Sequence, residues 1–151
     1  MRNDTPEIDT TARAGPAAAE EPHPGLAATA IAWVQLAGIT AAANLVIYAI
    51  ADAVGAQMSA DLGGGSQAIG PIPIVAVTLG TLFISTFVWS LVAHRVPAFA
   101  YLWVPIGWGV GLISLGGILG AAGISTGIAL AIMHLLTTTV AAHLIPRRLP
   151  R

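Results

Sequence analysis

From Val96 to Pro146 the chain runs for fifty-one residues without an Asp, Glu, Lys or Arg. A charged side chain at the centre of a bilayer costs roughly 2.5–3.5 kcal/mol on insertion scales, so lipid selects for such runs. As one helix, at about 1.5 Å per residue, this run would reach about 76 Å, more than twice the ~30 Å hydrocarbon core. It must therefore fold back and cross twice. Only 9% of the whole chain is charged, against about 25% in soluble domains.

Two further apolar stretches precede it. The spans read as about 26–51, 72–93, 98–119 and 124–145, within a membrane domain covering 26–146. Asp52 and a small polar run to Gly70 end the first, and Gly63 to Gly65 read as a flexible outer loop. Pro71 and Pro73 open the second, where a missing amide donor matters least. Pro105 should kink the third helix or mark its true start, and Pro146 with two Arg closes the fourth. Residues 1–25 mix Pro with charged side chains and read as a disordered cytoplasmic tail; 147–151 form a basic cytoplasmic C-terminus. The fold class is an all-α membrane protein, a four-transmembrane-helix bundle.

Orientation follows from the arginines. With four crossings, Arg2, Arg13, Arg95, Arg147, Arg148 and Arg151 share one side, and the other side carries Asp52 and Asp61. The positive-inside rule then puts both termini in the cytoplasm of a multi-pass cell-membrane protein. Trp33, Trp89, Trp103 and Trp108 fall toward the same side, as half of an interfacial aromatic belt.

Several chemistries find no support. There is no Cys, hence no disulfide, thiol catalysis or Cys-bound metal. A net charge of −1 gives no electrostatic case for nucleic acid. No Walker loop, HExxH or GxSxG occurs, and no pair of carboxylates lies within the spans. His94 and His143 lie at similar depth, as a bis-His haem would need, but nothing else on those helices points to a haem pocket. No catalytic residue, metal or cofactor is expected.

What remains is a small set of intramembrane polar residues. Thr40, Asn44, Tyr48 and Asp52 recur at four-residue intervals on a slowly drifting stripe of span one. A buried Asn needs partners in lipid: either a substrate or ion contact, or interhelical hydrogen bonds that fix packing. His134 sits near the middle of span four, with Thr137 and Thr138 on its face. It is a proton-relay candidate, or a neutral imidazole bonded to a Ser, Thr or carbonyl. No acid lies at its depth to pass a proton on, which favours the second reading. Ser114 lies near the depth of Asn44, and Thr78, Thr81 and Ser85 form a stripe on span two. Gly107/Gly111, Gly116/Gly120 and Gly123/Gly127 each match GxxxG, a weak signal in a chain with 17 Gly. The candidate polar site is Asn44, Ser114 and His134, with Tyr48 and Asp52 as weaker members.

The stretches ANLVIYAIADAVG, LISLGGIL and MHLLTTTVAAHLIPRRL resemble a family of small four-span proteins, mostly actinobacterial, known as a domain of unknown function. The resemblance covers roughly residues 26–149, and Asn44, Ser114 and His134 match its pattern. It implies a four-span fold and no activity, substrate or cofactor. The leading expectation is a non-enzymatic integral membrane protein, structural or accessory, with the lipid bilayer and further copies or other membrane subunits as partners. The alternative is a small transporter or channel-like subunit working as an oligomer around the polar site.

Overall fold

A computed structural model describes residues 26–61, 65–93, 95–120 and 123–149; the predicted tail and His94 lie outside them. Helix α1 spans Leu26–Ala53, α2 Pro71–Val92 and α3 Pro97–Ser114. A 3-10 turn over Leu115–Gly120 leads toward α4, Ile124–Thr139, which continues through a π-helical segment, Val140–Leu144, into the short α5, Ile145–Arg148. Four of these helical runs, the last being Ile124–Arg148, are long and apolar enough to cross a membrane. The outward surface is as apolar as the interior: Ile39, Val77, Phe83, Val110 and Ile128 are all exposed. Such a surface suits lipid and would aggregate in water.

Helix α1 lies along α2 and α4, while α3 rests mainly on α4 and the π segment and meets α2 through a ring contact of Trp103 with Trp89. Small residues set the contacts. Ala37 and Ala41 are buried on the inner face of α1. A Cβ added at Gly111 would come within 2.7 Å of Thr138 Oγ1, and one at Gly107 within 3.1 Å of Ala142 Cβ. The Gly107/Gly111 pair is therefore a genuine close-approach surface, facing Thr138 and Ala142 one turn apart. Gly116 and Gly123, from the other two matches, have open space where a Cβ would be.

Helix α1 ends at Ala53, one residue beyond Asp52. It closes in a Schellman motif: Ala56 N–H bonds Ala51 O, Gly55 N–H bonds Asp52 O, and Gly55 takes φ +81°. Gly63 and Gly64 of the expected flexible loop lie outside the described residues, and the chain on either side of them is paired. Strands β1 (Ser59–Asp61) and β2 (Ser66–Ala68) pair antiparallel, so a small hairpin joins the helices. Ala56, Met58 and Ala60 are buried, and Thr126 at the head of α4 donates to Gln57 O at 2.8 Å. Helix α3 starts at Pro97, so Pro105 lies inside it and is not its start.

At the C-terminal end, helical structure runs through Pro146 to Arg148, where the two Arg close the last span as the sequence suggests. The ladder shifts to accommodate the proline: Ile145 N–H bonds Val140 O, five residues back. In that register the next amide would serve Ala141 O, but Pro146 has none. Trp103 Nε1 supplies the missing donor at 3.0 Å. Trp89 Nε1 likewise donates to Leu149 O at 2.8 Å, and the two indoles meet edge-on with centroids 5.3 Å apart. The aromatic-belt reading is thus corrected for this pair. Trp89 and Trp103 are buried struts at one end of the bundle, because an indole N–H in hydrocarbon requires an acceptor.

Candidate functional site

Asn44 is 2% exposed, at the meeting of α1, α2 and α4. Its Nδ2 donates to Thr78 Oγ1 on α2 at 2.9 Å and to Thr137 Oγ1 on α4 at 3.0 Å. Each threonine has one hydroxyl proton, and each spends it on its own helix: Thr78 on Ile74 O at 2.8 Å, Thr137 on Met133 O at 2.9 Å. The threonines can therefore only accept from Asn44, which fixes the nitrogen of the amide toward them. Its Oδ1 is buried without a hydrogen-bond partner among the described residues.

His134 lies one turn before Thr137 on α4. Its Nε2 stands 2.6 Å from Ser114 Oγ and 3.0 Å from Gly111 O, both on α3. Ser114 Oγ itself lies 2.9 Å from Gly111 O, so imidazole, hydroxyl and carbonyl form one hydrogen-bonded triangle. This triangle depends on the close approach of α3 to α4 at Gly111.

Asn44 and His134 line one cavity of about 280 Å3. Thr78, Thr81 and Thr137 add hydroxyls; Ile74, Val77, Ile118, Leu130 and Met133 make the remaining walls largely apolar. Ser114 does not line it. It lines a second cavity of about 230 Å3 between α2 and α3, floored by Thr138 and Ala141, and Thr81 borders both.

The structure thus brings Asn44 and His134 to one wall, with Ser114 behind the imidazole. Tyr48 is instead half-buried against the cluster of Met58, Ile74 and Ala129, and Asp52 is exposed. The drift of the stripe explains this. Each four-residue step advances about 40° around a helix of 3.6 residues per turn, so Asp52 points about 80° away from Asn44. Thr137, expected beside His134, serves Asn44 instead. Sequence reasoning marked Thr78 as part of a stripe but not as the partner of Asn44, since only the fold brings positions 34 and 93 residues apart onto one amide.

His143 accepts a hydrogen bond from Trp108 Nε1 at 3.0 Å on its Nε2, an atom a haem iron would otherwise take. Among the described residues no three His, Asp or Glu side chains gather as a metal site.

No curated protein and no solved structure shows significant similarity to the chain. A family model described as a family of unknown function matches residues 24–151, most of the chain, and the protein therefore belongs to that family, DUF6069.

Proposed function

We propose that this is a non-enzymatic integral membrane protein with a structural or accessory role in the cytoplasmic membrane. The observation that carries the reading is how the intramembrane polar groups are used. Asn44 joins three helices, His134 and Ser114 join α4 to α3, and Trp103 caps a carbonyl that Pro146 leaves without a donor. These groups hold the bundle together, and among the described residues no carboxylate lines the cavities beside them to complete a relay. Both termini lie in the cytoplasm. That orientation rests on Arg95, Arg147 and Arg148, exposed at the end where Trp89 ties α2 to the last turn. The partners are the bilayer and a second copy or other membrane subunits, engaged through apolar outer faces.

A second reading is a small transporter or channel-like subunit acting as an oligomer. It is favoured by the shared cavity of Asn44 and His134. Proteoliposomes with an internal pH-sensitive dye separate the two. The accessory reading expects proton movement no faster than in empty vesicles. Flux abolished by His134→Gln would overturn it and promote the transporter.

A further inference from the structure

Asn44 lines the cavity and carries an unused hydrogen-bonding atom. Its Oδ1, an acceptor, is buried without a partner among the described residues. The hydroxyl protons of Thr78 and Thr137 are committed to carbonyls, so neither can turn to fill it. The other buried polar atom lacking a partner among the described residues, Trp33 Nε1, belongs to a different cavity.

A polar group this deep is normally satisfied, and an exception asks for a ligand or a water. The two adjoining cavities, of about 280 and 230 Å3, together fall within the usual range of ligand pockets, about 300–1,000 Å3. Their joint α2 wall runs from Pro73 to Val88, about 24 Å of helix, which exceeds the ~15 Å that one leaflet's chains span. Among the described residues, no Asp, Glu, Lys or Arg lines either cavity. The fitting molecule is neutral, lipid-soluble and hydrogen-bond-donating at one end.

We propose that the cavity between α1, α2 and α4 binds a hydroxylated membrane lipid. Its hydroxyl donates to Asn44 Oδ1, and its apolar chain lies in the adjoining cleft between α2 and α3. The assignment goes beyond the accessory reading and holds equally for a subunit of a larger assembly.

The test uses the full chain in nanodiscs of a phosphocholine lipid without hydroxyl groups. A sixteen-carbon primary alcohol carrying a diazirine is photolysed in place, and its adducts are mapped by mass spectrometry. Unlabelled 1-hexadecanol and its methyl ether then compete. The two have nearly the same apolar chain, but only the alcohol donates. Adducts on the cavity-lining parts of α2 and α4, and displacement by the alcohol at least about tenfold more effective than by the ether, are expected. Asn44→Leu should narrow that ratio. Equal competition by the two in the native protein would overturn the proposal, leaving a groove filled by any lipid chain. Absence of adducts at the cavity would also overturn it, leaving water as the occupant. The native comparison needs no variant, so a variant that fails to fold does not decide the outcome.

Discussion

Replacing Asn44 with Leu should leave the protein as stable as before, or more so. The side chains have similar shape, and the cavity beside Asn44 gives the methyl groups room. Two interhelical hydrogen bonds are lost, to Thr78 and Thr137. At about 0.6 kcal/mol each, the average in a membrane bundle, the loss is about 1.2 kcal/mol. The threonines are not orphaned, because both keep their bonds to Ile74 O and Met133 O. Against this, the substitution removes a buried acceptor with no partner among the described residues, which costs about 1–3 kcal/mol while it remains. The net runs from about no change to about 2 kcal/mol of stabilisation. Unfolding by sodium dodecyl sulfate from dodecylphosphocholine micelles, followed by circular dichroism, measures it. Dodecylphosphocholine has no hydroxyl group, so the detergent cannot stand in for a donating ligand. Destabilisation beyond about 1.5 kcal/mol would refute the reasoning, since it would mean that Oδ1 already has a partner. Asn44→Ala should be less stable than Asn44→Leu, because it loses the same bonds and adds a void.

Gly111→Ala should destabilise by about 1–3 kcal/mol through overpacking against Thr138, and Thr138→Ala should recover part of the loss in a double-mutant cycle by the same assay. Trp103→Phe strands Ala141 O and should cost about 1–3 kcal/mol; adding Pro146→Ala restores a backbone donor and should reduce that cost. For the proposed orientation, single Cys residues in this Cys-free chain at Ser66 and Arg148 should react differently with an impermeant maleimide on intact cells. Position 66 is expected to label and 148 is not, and the reverse pattern refutes both termini being cytoplasmic.

The number of crossing helices was legible because charge exclusion is a strong, one-dimensional signal: Arg95 and Pro97, like Gly70 and Pro71, mark boundaries that the structure keeps. Which face of each helix turns inward was not legible. In water, hydrophobicity marks the buried side. Here Leu82 is buried and Ile84 exposed, yet both are large aliphatics, because lipid and protein interior are alike to them. The signal that survives is size. Ala37, Ala41, Gly107 and Gly111 mark the inner faces, and the Gly pair lay hidden among other GxxxG matches until the fold showed what it faced. The hairpin was masked by its small polar composition. The π segment could have been anticipated: a Pro late in a span leaves a carbonyl without a donor, and an indole elsewhere in a Trp-bearing bundle is a natural source.

The same accounting separates the two ends of the molecule from its middle. At the arginine-bearing end, Pro146 creates an acceptor and Trp103 fills it, while Trp89 fills Leu149 O. At the other end, Gly55 closes α1 with a full Schellman pair, and Thr126 fills Gln57 O. In the middle layer the pattern changes. Asn44 uses only its nitrogen to join helices and leaves its oxygen without a partner among the described residues. That oxygen, buried on a side chain that lines the cavity, is the atom that the proposed ligand would use. If Asn44→Leu is as stable as calculated while the preference for the alcohol over its ether is lost, Asn44 will have been shown to serve a ligand rather than the fold.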